Sequence, residues 1–342
     1  MFDVVTIGSV TRDVFFDVPK FQTIPWGKTP SKKAFLLPLG EKLEVHETFF
    51  TLGGNSANAS VTFARSGFRV ACIGKVGNDP GGHEIRRRLE GEKVNASMLK
   101  KTSRLGTAYS VLLSKDGERT ILGYHGASNL FNKRDIDFGR LKARWWYVSL
   151  SGDSYTMFGA IVDNAKRHGA ALAFNPSGYH LRHNGGGILR ALKDISFLVL
   201  NEEEAALLTG IPFSREREVF RRLDKLTPGI LAVTNGDRGV TVSDGKRVYR
   251  AGVFKENKLV DRTGAGDAFG SGFVAGLLRS KITRKNIHAV SEIHIREAIR
   301  FASANATSVV EHLGATEGTL TKKGFDASAK WKNLRIKVTD IS

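Results

Sequence analysis

The chain has 342 residues with a formal net charge of +18, and hydrophobic residues make up 41% of it, which is typical of a globular protein with a large core. No apolar run approaches the ~18 residues of a membrane span, and the single cysteine, Cys72, excludes an internal disulfide and predicts a cytoplasmic location. The positive charge is scattered and forms no zinc-finger or aromatic-interleaved basic motif, so we expect neither a membrane nor nucleic acid as a partner.

The N-terminal part begins with predicted strands at FDVVTIG (2–8) and VFFDV (14–18). Residues 19–50 contain four prolines and several lysines, which indicates exposed strands instead of core helices. NSANASVTFARSG (55–67) predicts a helix ending at a glycine, and a strand (RVACIGKVG) and a helix (GGHEIRRRLEGEKV) follow. AYSVLLS and ERTILGYH flank the turn signal KDG, which predicts a hairpin.

The rest of the chain alternates short apolar strands with helix-length segments. WWYVSL, ALAFNP and ISFLVLN show the pattern of a parallel sheet buried on both faces, and ILAVTNG and GVTVSDG continue it. Helical patterns cover 264–279 and 294–313, and LRIKVT predicts a last edge strand. We therefore predict a single α/β domain over residues 1–342. Strands from about 14–50 and 106–125 would leave its main sheet as a lid or a dimer contact.

The stretch VDRTGAGDAF contains a turn into a predicted helix. The first N–H groups of that helix, at Gly264, Ala265 and Gly266, have no partner within the helix, and the helix dipole favours an anion beside them. Asp267 lies at the same turn. It either caps the helix or accepts the proton of a hydroxyl that attacks a phosphoryl group held by the N–H groups.

Five sequence blocks carry a family resemblance. VDRTGAGDAF is similar to the C-terminal signature of the ribokinase/PfkB family of carbohydrate and nucleoside kinases, and four blocks precede it in family order: GGNSANAS, IGKVGNDPGG, NEEE and VTNGDRGV. The blocks span almost the whole chain, so the chain is identified as a member of this family. The resemblance implies a ribokinase-like, three-layer α/β/α fold with a mostly parallel sheet and a small β-strand lid.

For the acceptor, the resemblance implies transfer of the γ-phosphoryl of ATP to a hydroxyl of a small, non-phosphorylated sugar. Asp267 would be the general base and Gly264–Gly266 the anion hole. The implied substrate-binding residues are Asp13, Gly53, Gly54, Asn58 and Tyr109. Family members that bind phosphorylated sugars often have a lysine in the GGNSANAS block, which this sequence lacks. From the residues alone, Asp13 could equally be a solvated turn residue.

For the nucleotide, the resemblance implies six contacts: Asn201, Thr234, Gly236, Gly239, Ser303 and Asn305. It also implies that Glu204 holds Mg²⁺ through water and that Asp261 and Thr263 bind a monovalent cation, usually K⁺. The stretch EHLGATEG lacks the serine that often completes this cation site. The residues alone also allow structural roles: acidic residues favour a first helical turn, and Asn-Gly forms hairpin turns.

Two alternatives remain at this point. A nucleoside (adenosine-type) kinase would need an aromatic slot for the base, for which the candidates are Phe15, Phe16, Phe35, Phe49 and Tyr124. An inactive family member could bind nucleic acid through its basic surface, although the intact Asp267 and glycine turn argue against lost activity. The positive charge slightly favours an acidic sugar, and a homodimer through the lid is common in the family.

Overall fold

The computed structural model describes residues 1–28, 32–115 and 118–341, and it contains four β-sheets. The strands are β1 (Phe2–Gly8), β2 (Thr11–Asp17), β3 (Gln22–Pro25), β4 (Lys33–Leu36), β5 (Glu47–Gly53), β6 (Val70–Ile73), β7 (Lys75–Gly77), β8 (Lys100–Thr102), β9 (Tyr109–Lys115), β10 (Glu118–Tyr124), β11 (Ala143–Ser149), β12 (Ala171–Phe174), β13 (Phe197–Asn201), β14 (Ile230–Thr234), β15 (Val240–Ser243), β16 (Arg247–Ala251) and β17 (Ile336–Asp340). The helices are α1 (Asn55–Arg65), α2 (Pro80–Gly91), α3 (Phe158–Arg167), α4 (Gly178–Ala191), α5 (Glu202–Thr209), α6 (Glu216–Asp224), α7 (Ala265–Arg279), α8 (Glu292–Val310) and α9 (Lys322–Ala327).

The main sheet has nine strands in the order β17-β16-β15-β14-β13-β12-β11-β1-β6. Neighbours from β14 to β6 are parallel, and β15, β16 and β17 continue the sheet antiparallel at one edge. The parallel strands are mostly apolar, as expected for strands whose two faces are both covered by helices. This arrangement confirms the predicted α/β class with a mostly parallel sheet.

Two hydrophobic cores lie on opposite faces of the main sheet. Trp145 and Trp146 are consecutive on β11 and both fully buried, yet they belong to different cores, because successive side chains of a strand point to opposite faces. The core around Trp145 includes Phe273 of α7, and the core around Trp146 includes Ile161 of α3. The molecule therefore has three layers, helix, sheet and helix, as predicted.

A second sheet, which we call the small sheet, has four strands in the order β10-β9-β2-β5. Its strands come from the two segments predicted to leave the main sheet, and β2 pairs antiparallel with β5 and parallel with β9. The predicted hairpin is formed by β9 and β10. The turn residues Asp116 and Gly117 lie outside the described residues, as do residues 29–31 of the predicted exposed insertion.

Several boundaries differ from the predictions. The second strand begins at Thr11 instead of residue 14, because Arg12 already pairs with Leu52 and Tyr109 across the small sheet. Strands β8 and β16 were not predicted, and β16 is held between β15 and β17. Among the helices that the structure describes, none is long and apolar enough to cross a membrane.

Candidate active site

At the turn that precedes α7, the backbone of Gly264 packs closely against the chain at Ala315. Gly264 is the residue before the helix, with φ 78° in the left-handed region, and a Cβ there would lie 2.5 Å from the Cβ of Ala315. No side chain caps this helix start. The N–H of Ala265 makes only a long bond to O of Arg262, at 3.4 Å, so the first N–H groups of α7 can turn to an anion.

Asp267 is the third residue of α7 and is half-buried. The side-chain amides of two asparagines are directed at its carboxylate oxygens. Nδ2 of Asn58 donates to Oδ2 at 3.0 Å, and Nδ2 of Asn175 lies 3.5 Å from Oδ1. Burial raises the pKa of Asp267 to about 6, the Asn58 hydrogen bond lowers it, and the nearby Asp13 charge raises it further. A carboxylate with such a pKa is ionised at neutral pH and basic enough to accept a proton.

The carboxylate of Asp267 faces a cavity of about 280 Å³ between α7 and the small sheet, which we call the first cavity. Most of its lining groups are hydroxyls, amides and two carboxylates, which is the set that matches a polyol. The lining residues are Ser9, Thr11, Asp13, Gly54, Asn55, Asn58, Ser110, Gly123, Tyr124, His125, Ser128, Ser151, Thr263, Gly264 and Asp267. None of these described lining residues is a lysine or an arginine, so the cavity does not favour an acidic ligand.

Asp13 is held in the first cavity by the pairing of β2 with β5. Its side chain is only 7% exposed and accepts a hydrogen bond from the Thr11 hydroxyl at 3.0 Å. Burial raises the pKa of Asp13, which the hydroxyls of Thr11 and Ser110 oppose. A Cβ on Gly53 would lie 2.1 Å from Oδ2 of Asp13, so Gly53 leaves space for this carboxylate, and Gly54 is the glycine that lines the cavity.

A second cavity of about 360 Å³ lies on the other side of the α7 turn. It combines an apolar surface with polar groups at its rim, and we call it the second cavity. Its lining residues are Thr234, Gly236, Asp237, Gly239, Val240, Val253, Phe254, Glu256, Leu259, Arg262, Ala265, Gly266, Phe269, Ser303, Ala306, Thr307 and Val310. The start of α7 thus separates the two cavities: Gly264 and Asp267 face the first, and Ala265 and Gly266 face the second.

Twelve of the eighteen predicted site residues line the two cavities; the other six are Gly53, Tyr109, Asn201, Glu204, Asp261 and Asn305. Tyr109 does not line the first cavity, and its neighbour on β9, Ser110, does so instead. The ring of Tyr109 lies 5.7 Å from the Arg12 guanidinium. Asn305 is fully buried and binds the chain itself, donating to O of Ala268 at 2.9 Å and accepting from N of Leu320 at 2.9 Å. The polar atoms of Asn305 are thus directed at the chain itself, and Asn305 does not line the second cavity.

Asn201 and Glu204 form a reciprocal cap at the start of α5. N of Glu204 donates to Oδ1 of Asn201 at 2.8 Å, and N of Asn201 donates to Oε2 of Glu204 at 2.9 Å. Burial raises the pKa of Glu204 to about 7, the bond from Asn201 lowers it, and the charges of Asp267 and Glu203 raise it. The electrostatic coupling to Asp267 indicates that Glu204 lies near the same site.

Asp261 organises the loop before α7. Its buried carboxylate accepts from N and Oγ1 of Thr263 at 3.0 and 2.8 Å and from N of Gly314 at 3.3 Å. The guanidinium of Arg119, on β10 of the small sheet, lies 3.4 Å from the same carboxylate. This ion pair links the small sheet to the α7 turn.

A third depression, of about 650 Å³, lies beside the loop that follows β14. Its arginines are both engaged: Arg238 pairs with Glu202 at 2.7 Å and Arg250 pairs with Glu216 at 2.9 Å. The depression contains neither Asp267 nor the α7 turn, so its size does not make it the reactive site.

Sequence reasoning missed Asn175, Ser128, Ser151 and His125. Asn175 directly follows the apolar strand β12, and a polar residue at the carboxyl end of a buried parallel strand is a signal that could have found it. Ser128, Ser151 and His125 lie in irregular segments. Their approach to the cavity depends on tertiary packing that no local pattern encodes.

Comparison with known proteins identifies the family of this chain. Residues 1–322 match the description "pfkB family carbohydrate kinase". The chain is 30% identical over 290 residues to a probable fructokinase-6 of Arabidopsis thaliana, covering 79% of this chain and 72% of the relative. It is 26% identical over 325 residues to a ribokinase of Haemophilus influenzae, covering 93% and 95% of the two chains.

A solved structure shows the same fold. The Arabidopsis thaliana ribokinase complexed with ribose and ATP has a TM-score of 0.74 and 20% identity to this protein, with 97% of this chain and 99% of that chain covered. The family match and the fructokinase relative confirm the predictions of the family, the ribokinase-like fold and the enzyme class. This chain belongs to the pfkB family of carbohydrate kinases and is a sugar kinase.

Proposed function

We propose that the enzyme transfers the γ-phosphoryl group of ATP to a hydroxyl of an uncharged, non-phosphorylated sugar bound in the first cavity. The observation that carries this proposal is the position of the α7 turn between two cavities, with the Asp267 carboxylate facing one of them and the N–H groups of Ala265 and Gly266 beside the other. Such a turn can contact a single phosphoryl group from both sides.

In the proposed mechanism the acceptor hydroxyl donates its hydrogen to Asp267, which takes the proton as the hydroxyl oxygen attacks phosphorus. The N–H groups at Gly264, Ala265 and Gly266 stabilise the negative charge of the transferring group without rearrangement. Asp13 orients the sugar by accepting hydrogen bonds from its other hydroxyls. The small sheet would act as a lid that excludes water from the phosphoryl group.

ATP would occupy the second cavity. Its apolar wall, with Leu259, Phe254 and Val310, suits a purine base, and Thr234, Gly236, Gly239 and Ser303 would contact the ribose and phosphates. The solved ribokinase complexed with ribose and ATP supports ATP as the nucleotide. Asn201 would lie beside the phosphates, where its two hydrogen bonds with Glu204 hold that carboxylate in place.

A divalent cation fits beside Asn201 and Glu204. One oxygen of Glu204 accepts the Asn201 N–H and the other has no such partner, and a carboxylate with a pKa near 7 ionises when a cation approaches. Glu204 would hold Mg²⁺ through water. When bound, Mg²⁺ supplies charge neutralisation across the phosphates.

The residues around Asp261 fit a monovalent cation poorly. Both carboxylate oxygens already accept N–H or O–H groups, and Arg119 supplies a positive charge at 3.4 Å. A K⁺ ion at Asp261 and Thr263 would compete with that guanidinium. No step of the mechanism passes through such an ion.

The composition of the first cavity supports a neutral acceptor over an acidic one. Asp13 and Asp267 would repel a sugar acid or a sugar phosphate, and no described lining residue is a lysine or arginine. The net charge of +18 lies elsewhere on the surface and does not reach this cavity. A nucleoside remains the second candidate acceptor, because Tyr124 and His125 line the first cavity and could stack on a base.

The experiment that tests this function measures ADP release with neutral sugars, sugar acids and nucleosides, using the wild type, Asp267→Asn and the control Asp163→Asn, an exposed change on α3. We expect neutral sugars to give the highest kcat/KM, and Asp267→Asn to lose about 10²–10⁴-fold in kcat while remaining folded. Full activity of Asp267→Asn would exclude Asp267 as the base. Preference for nucleosides would support the second candidate, and no turnover with any acceptor would contradict the proposal.

We further propose a cytoplasmic homodimer. The small sheet exposes large apolar side chains, with Phe49 and Phe50 each 41% exposed on β5 and Ile121 and Leu122 50% and 55% exposed on β10. Phe49 and Phe50, like Ile121 and Leu122, are consecutive and point to opposite faces of the sheet, so a second copy of this chain would cover one residue of each pair. Cys72 is a buried free thiol, which agrees with a reducing compartment.

A further inference from the structure

Asn175 lies at the carboxyl edge of the main sheet, between β12 and Pro176. Its backbone N–H donates to O of Val148 at 2.9 Å, and the following proline restricts residue 175 to extended conformations. The direction of the Asn175 side chain is therefore fixed by the backbone. That side chain points its amide at Oδ1 of Asp267, while Asn58 donates to Oδ2. Each oxygen of the carboxylate thus faces a different amide.

A buried phenol lies behind Asn175. Tyr147 on β11 is fully buried, and its hydroxyl makes no hydrogen bond of ordinary geometry, only a looser contact with the Asn175 amide. Burial and the charge of Asp267 raise the pKa of Tyr147, and the neighbouring Asn175 amide lowers it. A Cβ on Gly270 would lie 2.6 Å from the Tyr147 oxygen, so α7 packs directly against this hydroxyl. Because a buried hydroxyl without any polar neighbour is costly, the Asn175 amide is the group that offsets the burial of this phenol.

We propose that Asn175, supported by Tyr147, is a positioning residue that holds the Asp267 carboxylate in the orientation in which it accepts the proton of the acceptor. The inference rests on the proposed function. Asn58 lines the first cavity and can also touch the acceptor, whereas Asn175 is not among the lining residues and acts only through Asp267.

The environment of Asp267 makes this support necessary. The charged groups that face it are negative: Asp13 from β2 and Glu204 from α5 both couple to it. A carboxylate between like charges would turn away or take up a proton. Two amide donors, on α1 and after β12, oppose both outcomes by binding the ionised form.

The test compares Asn175→Ala and Asn175→Asp with the control Asn164→Ala, which removes a half-buried amide on α3. We expect Asn175→Ala to lower kcat about 10–100-fold with the acceptor KM within about twofold, because Asn175 does not contact the acceptor. The acidic limb of the pH–rate profile should move to higher pH, since losing a donor raises the pKa of Asp267. Asn175→Asp adds a like charge and should move the limb further.

Tyr147→Phe removes only the hydroxyl, and its matched control is Tyr249→Phe, a buried tyrosine on β16 of the same sheet. We expect a drop in kcat of about 3–10-fold for Tyr147→Phe at unchanged KM, and none for the control. Wild-type kcat and pH profile in Asn175→Ala would overturn the inference, as would a loss confined to KM. If Asn175→Ala does not fold, the kcat and KM of Tyr147→Phe test the inference in its place. Full activity of Asp267→Asn would instead contradict the proposed function.

Discussion

At the scale of single residues, the site combines groups that cost stability with groups that limit the cost. The Asp267 carboxylate is desolvated and has Asp13 nearby, which raises its pKa to about 6. Asn58 and Asn175 offset part of this cost by donating to it. A proton acceptor needs a raised pKa, so the same burial that weakens the fold makes the group useful in catalysis.

The first prediction follows from the sign of that shift. The pKa of Asp267 is about 6 in the folded protein against an ordinary value of 3.8 for an aspartate side chain. The free energy of unfolding therefore falls as the pH rises from about 4 to about 6 and stays lower above. Asp267→Asn carries no charge and escapes this loss. We expect its Tm to exceed that of the wild type by a few degrees at pH 8 and to match it near pH 4.

Thermal unfolding measured from pH 4 to 8 tests this, with Asp163→Asn as an exposed control that should follow the wild type. An Asp267→Asn protein that is less stable than the wild type at pH 8 would show that the carboxylate is a structural cap.

The second prediction concerns Asp13. Asp13→Ala removes an acceptor of sugar hydroxyl bonds and leaves Asp267 in place, so we expect the acceptor KM to rise about tenfold or more with kcat within about threefold. Steady-state kinetics with the best acceptor gives both constants. An unchanged KM with every accepted sugar would remove Asp13 from the binding site.

At the scale of elements, local sequence patterns predicted the strands and helices that form from local hydrophobic periodicity. The apolar strands β11, β12 and β13 and the helix α7 were recognisable because their hydrophobic periodicity is strong. The small sheet was predicted as displaced strands, but its pairings were not, because β2 meets β5 and β9 across long stretches of chain. The predicted Tyr109 and its neighbour Ser110 point to opposite faces of β9, and only Ser110 lines the first cavity, so this position depends on strand register.

The third prediction concerns the ion pair between β10 and the loop before α7. Arg119→Ala leaves the buried Asp261 carboxylate without its cation, so the α7 turn loses support and kcat should fall about 10-fold or more. We expect added KCl to restore part of the activity of Arg119→Ala and to leave the wild type unchanged. Arg119→Lys serves as the matched variant that keeps the charge.

Activity assays at constant ionic strength, with KCl exchanged for tetramethylammonium chloride, measure this response. A wild type that requires K⁺ would contradict the assignment of Arg119 as the charge partner of Asp261.

At the scale of the whole molecule, surface charge and site charge have opposite signs. The chain carries +18 overall, yet the first cavity contains Asp13 and Asp267 without a described lysine or arginine in its lining. The net charge therefore says little about the acceptor, and the slight preference for an acidic sugar drawn from it fails on the local composition. A total taken over 342 residues does not reveal how charges are distributed around a cavity.

The fourth prediction concerns the exposed apolar side chains of the small sheet. If a second copy covers them, light scattering coupled to size-exclusion chromatography should give twice the mass of 37.4 kDa. Ile121→Glu should then yield a monomer, since a buried charge at the interface is unfavourable. Lys20→Glu, an exposed change between β2 and β3, is the control. A monomeric wild type would contradict the proposed homodimer.

The glycines of α7 restrict how this enzyme can diverge. A Cβ on Gly272 would lie 3.0 Å from Cα of Ala302, and a Cβ on Gly276 would lie 2.6 Å from Cα of Ala298, so α7 and α8 touch backbone to backbone. Such close packing prevents α7 from sliding along α8 or rotating about its own axis. Larger residues at Gly272 or Gly276 would push α7 away from α8 and displace Asp267. A change of sugar specificity should therefore come from substitutions among the hydroxyl-bearing residues opposite α7.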